Sequence, residues 1–340
     1  MILPMQKQHL FIGLFLLAAS SLLFSCDKSF GDTRPDGRLV PPTVTEDSSL
    51  PSITVNGVQL HAEAYGHPDS ALLIVIHGGP GSDYRYLLNC KAFADHGFRV
   101  VFYDQRGAGL SERFPQSHFS SVEILSDELH GVIAHYRTHT DQKVFLLGHS
   151  WGAMLAAIYL NDRPNAPIDG LILGEPGGFK WDDFSGYINR SQDFKLFSES
   201  LNDAIYADQM LSGKDDEHEI LDYKLDLLTS VGDSKDSPVG NEDFLPKWRS
   251  GAATFMAYSE LGPRIKPDWT QNLHLYNTKV LFLFSENNKA YGRAHAEHVS
   301  SAFPKVELFE TKDAGHDMLS FPRGWNNSFP VMLNYLNSLK

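Results

Sequence analysis

The sequence predicts an α/β fold with a mostly parallel sheet that is interrupted late in the chain by a helical insert. Three observations support this. Short apolar runs, typical of strands buried on both faces, alternate with helical patterns. Residues 143–160, KVFLLGHSWGAMLAAIYL, form a strand, a sharp turn and a helix. Residues 176–272 contain helical runs and many acidic residues, but no apolar strand.

The first half of the chain supplies most of the predicted sheet. Residues 53–55 and 60–65 alternate around Asn56-Gly57, which predicts a hairpin. Further strands are predicted at residues 71–76, 98–103, 144–147 and 170–173, and helices at residues 87–96, 122–139 and 153–160. Gly97 is a candidate helix C-cap. Strands that alternate with helices indicate a parallel sheet covered on both faces.

The chain therefore divides into a core in two parts and an insert. The core comprises residues 52–175 and 273–340, and residues 176–272 form a helical cap or lid. After the insert, strands are predicted at residues 279–285 and 306–310, and a last helix at residues 329–339.

The N-terminus has the pattern of a targeting segment. Lys7 precedes an apolar run at residues 10–24, which is shorter than the roughly 20 residues of a membrane-spanning helix. Leu23-Phe24-Ser25-Cys26 resembles the bacterial lipobox, which implies a signal peptide of residues 1–25 and lipidation of Cys26. The alternative is a secretory signal cleaved nearby, with Cys26 left as a thiol. Residues 26–51, rich in Pro, Gly, Ser, Thr and Asp, predict a flexible tether. The folded domain is then expected in the cell envelope, outside the cytoplasm, with the lipid as its sole link to a bacterial membrane.

Charge and cysteine content exclude some classes of function. The net charge of −13 argues against nucleic acid as a partner, because phosphate binding needs a basic surface. Two cysteines, Cys26 and Cys90, cannot form a disulfide framework. With Cys26 lipidated, Cys90 is expected to be a buried thiol.

The pentapeptide Gly148-His149-Ser150-Trp151-Gly152 lies where the predicted strand turns into the helix. Such a turn exposes a serine hydroxyl above the sheet edge, and its glycines leave room that a Cβ would fill. A nucleophilic serine needs a base, an orienting acid and oxyanion donors. His316, after the last strand, has the best context of the fifteen histidines for the base. His149 is expected to pack under the turn.

The oxyanion donors are predicted from two backbone positions. One is the N–H of Trp151, which follows the serine. The other comes from the turn His77-Gly78-Gly79-Pro80-Gly81. Proline has no N–H, and Gly79 is the choice over Gly78.

These motifs resemble α/β-hydrolases of the proline iminopeptidase type, peptidase family S33. The resemblance rests on HGGPG at residues 77–81, DQRGAGLS at residues 104–111 and the G-x-S-W-G pentapeptide. It covers residues 52–174 well and the last seventy residues moderately. It implies an eight-stranded, mostly parallel sheet with a helical cap, and it implies that Asp104 and Arg106 hold the loop near the site rather than act in catalysis.

The acid departs from the family pattern. Where the family carries an aspartate after the penultimate strand, this chain has Asn288, in Ser285-Glu286-Asn287-Asn288. An asparagine has no charge to stabilise an imidazolium. Glu175, at the end of the strand at residues 170–173, resembles the relocated acid of some haloalkane dehalogenases. Glu175 is therefore the predicted acid, with Glu286 as the alternative.

The sequence thus predicts a serine hydrolase that acts through an acyl-enzyme, without metal or organic cofactor. The resemblance implies an aminopeptidase that removes an N-terminal proline or a similar residue from small peptides. The alternatives are a carboxylesterase or amidase on small acyl compounds, and a ligand-binding lipoprotein without catalysis. Epoxide hydrolases and dehalogenases are disfavoured, because they carry an aspartate where Ser150 stands.

Overall fold

The computed structural model describes residues 38–191, 217–232 and 237–340. An eight-stranded sheet lies within the compact unit Val40–Lys340, with strand order β1-β2-β4-β3-β5-β6-β7-β8. The two pairings that involve β2 are antiparallel and all the others are parallel. The strands are β1 Ser52–Val55, β2 Val58–Tyr65, β3 Ala71–Ile76, β4 Phe98–Tyr103, β5 Val144–His149, β6 Gly170–Gly174, β7 Val280–Ser285 and β8 Val306–Thr311.

Helices cover both faces of this sheet. The described α-helices are α1 Glu123–Tyr136, α2 Trp151–Asp162, α3 Trp181–Ser191, α4 Glu217–Gly232, α5 Ala252–Ile265, α6 Gly292–Ser300 and α7 Pro322–Leu339. Leu129, Leu155 and Val299 place α1, α2 and α6 on one face, within the larger apolar core. Phe93 and Leu336 place a helical segment at Arg85–His96 and helix α7 on the other face. Strands β5, β6 and β7 are buried along their whole length, which explains their unbroken apolar sequence.

The predicted sheet is confirmed, with bounds that differ by one or two residues. In the hairpin, Asn56 and Gly57 both have positive φ, 50° and 79°, as a two-residue turn between β1 and β2 requires. Gly97 ends the preceding helical segment in the left-handed conformation that was predicted for it.

Three helices differ from the prediction. The segment Arg85–His96 forms 3₁₀ turns rather than an α-helix. Helix α7 starts at Pro322, because a proline suits the first turn of a helix, where its missing N–H has no partner to lose. Helix α6 was not predicted, since its short sequence GRAHAEHVS buries only Ala296, Val299 and Ser300.

The N-terminal strap, residues 40–50, corrects the tether prediction. Val40 and Val44 are buried, and the N–H of Val44 donates to the carbonyl of Leu110 at 2.8 Å. Arg249 donates through Nη1 to the carbonyl of Pro41 at 2.8 Å. The prediction of a tether as far as residue 51 is therefore wrong for the strap. The strap is mostly polar in composition, so its two valines, four residues apart, did not indicate that it packs against the core.

The described part of the insert contains α3, α4 and α5 and contributes no strand to the sheet. The amide of Gly251, at the start of α5, donates to the carbonyl of Gly81 at 2.7 Å, so the insert meets the turn predicted to hold an oxyanion donor. Asp215 and Asp216 of its acidic run lie outside the described residues.

The predicted signal peptide and Cys26 also lie outside the described residues. Within the described ranges, every helix is too short or too polar to cross a bilayer. Cys90 is buried with a free thiol, and burial raises the pKa of that thiol.

Candidate active site

Ser150 lies at a sharp turn between β5 and α2. Its backbone has φ 55° and ψ −120°, a region that side-chain-bearing residues rarely occupy. The N–H of Ser150 donates to the carbonyl of Gly174 at 2.7 Å, which ties the turn to the end of β6. A Cβ at Gly148 would lie 2.3 Å from the carbonyl oxygen of Gly152, and one at Gly152 would lie 2.1 Å from that of Ile76. Both glycines are therefore required by packing.

Glu175 and His316 meet beside this turn. Glu175 directly follows β6 and is fully buried, and His316 lies in the loop after β8. The Oε2 atom of Glu175 is 2.7 Å from Nδ1 of His316. Because a carboxylate can only accept, this contact fixes the proton on Nδ1 and leaves Nε2 as the nitrogen that can take a proton from a nucleophile.

The second oxygen of Glu175 is held as firmly as the first. Oε1 accepts from the backbone N–H of Ser285 at 2.6 Å and from its hydroxyl at 2.5 Å. The side-chain amide of Asn288 donates to Oε2 at 2.8 Å. The residue that stands at the family's aspartate position thus binds the carboxylate of Glu175.

Glu286 lies elsewhere, in a surface ion pair. It accepts from the ammonium of Lys312 at 3.0 Å and from the N–H of Asp313 at 3.0 Å. These contacts, the Asp313 N–H above all, lower the pKa of Glu286. The structure therefore brings Glu175, and not Glu286, to the imidazole of His316.

The turn at residues 77–81 runs against Ser150. A Cβ at Gly78 would lie 3.2 Å from Cβ of Ser150. The N–H of Gly78 donates to the hydroxyl of Tyr86 at 2.7 Å. Among the hydrogen bonds of the described ranges, none uses the N–H of Gly79 or of Trp151. These two amides, like that of Gly81, therefore remain candidate donors for an oxyanion.

Gln105 links the turn that carries Gly79 to the side chain of Trp151. It was not predicted from the sequence. Its side-chain amide donates to the carbonyl of His77 at 2.9 Å, and its Oε1 accepts from the indole N–H of Trp151 at 3.0 Å. The backbone N–H of Gln105 donates to Nε2 of His77 at 3.0 Å, so Nδ1 of that ring carries the proton. Burial lowers the pKa of His77, which keeps the ring neutral.

Asp104 and Arg106 anchor their own loop through hydrogen bonds. Asp104 accepts from the N–H of Leu110 at 2.8 Å and contacts Nδ1 of His61 at 2.8 Å. Arg106 donates through Nε to Glu128 at 2.8 Å, and burial raises the pKa of Glu128 to about 6. These contacts hold the loop that carries Gln105.

His149 packs beneath the turn with both ring nitrogens engaged. The hydroxyl of Tyr86 lies 2.9 Å from Nδ1, and Nε2 lies 2.8 Å from the carbonyl oxygen of His316. Because Tyr86 accepts from Gly78, its hydroxyl proton is available to Nδ1 of His149, and Nε2–H donates to His316. Burial and the neighbouring His316 lower the pKa of His149 to about 3.

One cluster in the described ranges has the spacing of a metal site. The candidate ligand atoms of His149, His316 and Asp317 lie within 4.8 Å of one another. The ring nitrogens of His149 are both used by protein groups, and Asp317 accepts from the side-chain amide of Asn241 at 2.5 Å. These donors serve the loop that carries His316, and the cluster does not fit a metal ion.

The fold resembles those of solved hydrolase structures, and part of the sequence matches a hydrolase family model. A proline iminopeptidase-related protein from Thermus thermophilus superposes with a TM-score of 0.56 at 22% identity, covering 84% of this chain and 97% of that one. An esterase from Thermogutta terrifontis superposes with a TM-score of 0.59 at 19% identity, covering 85% and 98%. Residues 67–215 match the family model described as Serine aminopeptidase, S33. The chain therefore has the fold of these hydrolases, and fewer than half of its residues match the S33 family model.

Curated relatives match about a third of this chain. The proline iminopeptidase of Thermoplasma volcanium is 37% identical over 105 residues, which are 31% of this chain and 34% of that protein. Epoxide hydrolase B of Mycobacterium tuberculosis is 33% identical over 137 residues, 37% of this chain and 38% of that protein. An AB hydrolase superfamily protein of Bacillus subtilis is 33% identical over 112 residues. The chain thus spans between a third and two fifths of the length of these relatives.

Proposed function

We propose that the protein is a serine hydrolase in which Ser150 is the nucleophile, His316 the base and Glu175 the acid. The observation that carries this proposal is the 2.7 Å contact between Glu175 and Nδ1 of His316, formed beside a serine held at φ 55°. A buried carboxylate that fixes the tautomer of an imidazole next to a strained serine turn is the arrangement that activates a hydroxyl.

In this reaction, the hydroxyl oxygen of Ser150 attacks the substrate carbonyl while Nε2 of His316 takes the hydroxyl proton. The N–H groups of Gly79 and Trp151 stabilise the oxyanion, to which the N-terminus of α2 adds a favourable dipole. His316 then returns the proton to the leaving group, and the acyl-enzyme forms. Water, deprotonated by the same imidazole, hydrolyses the ester and restores Ser150. Glu175 remains a carboxylate throughout and stabilises the imidazolium.

For the substrate, we propose a small peptide with an N-terminal proline or a similar residue. The match to the S33 serine aminopeptidase model and the identity to proline iminopeptidases support this choice. An aminopeptidase also needs an anionic partner for the ammonium of its substrate, and the acidic residues of the insert are candidates for that role.

A carboxylesterase is the second candidate, and a specific observation favours it. Four carboxylates in the described part of the insert are already paired with lysine or arginine: Asp222 with Arg249 at 2.7 Å, Asp226 with Lys247 at 3.4 Å, Glu242 with Arg323 at 3.9 Å and Asp268 with Lys180 at 3.8 Å. An ester substrate has no ammonium and would need none of them.

A comparison of two substrates tests the proposal. The purified protein is assayed for kcat/KM on proline p-nitroanilide and on p-nitrophenyl butyrate, with Ser150→Ala as the control. Preference for the prolyl amide supports the aminopeptidase, and turnover of the ester alone supports the esterase. If neither substrate is turned over and a fluorophosphonate probe fails to label Ser150, the scaffold binds a ligand without catalysis and the serine hydrolase proposal fails.

A further inference from the structure

The imidazole of His316 has a second oxygen neighbour, which comes from the insert. The hydroxyl of Tyr187, on helix α3, lies 3.3 Å from Nδ1 of His316. Tyr187 is buried, and its ring lies tilted against that of His316 with 6.0 Å between centroids. The nitrogen that faces Glu175 at 2.7 Å therefore also faces a hydroxyl carried by a different part of the chain.

Asn288 closes this cluster. Its side-chain amide has two hydrogens, one donated to Oε2 of Glu175 at 2.8 Å and the other to the hydroxyl of Tyr187 at 3.1 Å. The Oδ1 atom of Asn288 accepts from the N–H of Tyr291 at 3.2 Å, which fixes the orientation of the amide. Two acceptors, Glu175 and Tyr187, thus share two donors, Asn288 and the Nδ1–H of His316.

Helix α3 is docked on the segment that follows β7. Arg190, one turn beyond Tyr187, donates through Nε to the carbonyl of Ala290 at 2.9 Å. The ring of Tyr187 packs edge-on against Tyr291, with centroids 5.2 Å apart. The position of the Tyr187 hydroxyl therefore depends on how α3 sits on this segment.

We propose that Tyr187 is a positioning residue that makes the geometry of the Glu175–His316 pair depend on the docking of helix α3. The effect of Tyr187 on catalysis rests on the proposed function, in which His316 is the base. Tyr187 does not contact the reacting atoms. It acts through His316, because its hydroxyl contacts Nδ1 and not Nε2, the nitrogen that takes the proton. An insert helix that lifts from the core would remove this contact, and the imidazole would lose the Tyr187 hydroxyl as a neighbour.

The hydroxyl of Tyr187 is neutral over the working pH range. Burial, followed by the charge of Glu175, raises its pKa well above the ordinary value. Within the described residues, the titratable groups that face His316 include Glu175 after β6, Tyr187 on α3, His149 at the end of β5 and Asp317 in its own loop. Because the tyrosine oxygen accepts part of the Nδ1–H bond, it favours the protonated imidazole, and its removal should lower the pKa of His316.

The test compares Tyr187→Phe with Tyr258→Phe. Tyr258 is a matched control, because it is also buried in the insert but its hydroxyl donates to the carbonyl of Ser121. Tyr187→Phe should lower kcat about three- to tenfold, the effect of one lost hydrogen bond, with KM within twofold of wild type. The acid limb of the kcat/KM profile should move to lower pH. Tyr258→Phe should change neither quantity.

A double-mutant cycle tests the dependence on docking. Arg190→Ala removes the anchor of α3 without touching Glu175 or His316, and should lower kcat about two- to threefold. In the Tyr187→Phe background the same change should have no further effect on kcat. Effects that multiply would overturn the proposal, as would a Tyr187→Phe protein that behaves like Tyr258→Phe.

Titration of His316 by NMR separates this proposal from the proposed function. Ring signals of labelled histidine are followed against pH in wild type, Tyr187→Phe and Tyr258→Phe, with His316→Gln for assignment. A lower pKa in Tyr187→Phe alone supports the positioning role even if wild type turns over neither substrate. An unchanged pKa in Tyr187→Phe overturns it, while activity and probe labelling of wild type decide the proposed function independently.

Discussion

Glu175 shares with Ser150 a backbone conformation that side-chain-bearing residues avoid. Its φ is 43°, and that of Ser150 is 55°. Such strain persists only where the surrounding contacts outweigh it. For Glu175 those contacts are the N–H bond to the carbonyl of Leu283 at 3.0 Å and the donors from Ser285 and Asn288. The carboxylate of the candidate acid is therefore held in position before any substrate binds.

The charge of Glu175 should be worth several orders of magnitude in rate. Glu175→Gln keeps the size of the side chain but cannot stabilise an imidazolium, and its amide can favour the wrong tautomer of His316. We expect kcat to fall about 10⁴-fold. Glu286→Gln, at the surface pair with Lys312, should stay within about twofold of wild type. The measurement is kcat on whichever substrate wild type prefers.

A second variant controls for the position of the charge. Because Asn288 and His316 both contact Oε2 of Glu175, Glu175→Gln with Asn288→Asp returns a carboxylate to the same cluster. The double variant should recover at least tenfold of the lost kcat. Full activity in Glu175→Gln together with loss in Glu286→Gln would show that the acid has been assigned incorrectly.

Residues with a local signal could be found from the sequence, and residues defined by the fold could not. The strand–turn–helix pattern points to Ser150, and the loop after the last strand points to His316. Tyr187 and Gln105 have no such signal. One meets His316 across 129 positions of sequence and the other meets Trp151 across 46, so their partners exist only after the insert and the sheet have folded.

Among the helices and strands, too, those with a local sequence signal could be predicted and those defined by tertiary contacts could not. Strands buried on both faces, such as β5, are continuous apolar runs and could be placed within one or two residues. Helix α6 and the N-terminal strap could not, because each presents only a narrow apolar surface. The strap is recognisable only through partners on other elements, since Arg249 of the insert binds both the carbonyl of Pro41 and the carboxylate of Glu46.

Helix α4 is joined to the core through one buried carboxylate. Asp222 accepts from Nε of Arg113 at 2.9 Å and from Nε of Arg249 at 2.7 Å, and all three side chains are almost fully buried. It also accepts from the N–H of Ala252, the first residue of α5. The core and two insert helices therefore converge on Asp222, and the strap is linked to it through Arg249.

Asp222→Ala should destabilise the protein strongly, because the buried guanidinium of Arg113 would lose its carboxylate partner and that of Arg249 would keep only Glu46. We expect the free energy of unfolding to fall by about 3–5 kcal/mol. Glu307→Ala, in the exposed pair with Lys279, is the control and should cost at most about 1 kcal/mol. Urea unfolding followed by circular dichroism measures both. Equal small losses would mean that α4 is not held to the core by Asp222.

At the scale of the whole molecule, we propose that the chain is a lipoprotein of the bacterial cell envelope, anchored through Cys26. The support is the apolar run at residues 10–24 followed by the lipobox-like Leu23-Phe24-Ser25-Cys26. The net charge of −13 would add no attraction to an anionic lipid surface, so the acyl chains would have to hold the protein there.

Cys26→Ala tests the anchor in a bacterial host that processes lipoproteins. Wild type should incorporate an alkyne-labelled fatty acid and sediment with membranes, and the variant should lose both properties. Cys90→Ala is the matched control, because the buried thiol at that position is closed to modification. A Cys26→Ala protein that still carries label and sediments with membranes would contradict the proposal.

The contact between Asn288 and Glu175 also bears on how this site could have arisen. A chain with acids at both positions would place two carboxylates at hydrogen-bond distance, and the pair would retain one proton between them. One negative charge would still face the imidazole of His316. Either acid could then be lost by a single substitution without an inactive ancestor. Over successive substitutions, the position of the negative charge could thus change from the loop after β7 to the end of β6 without loss of hydrolysis.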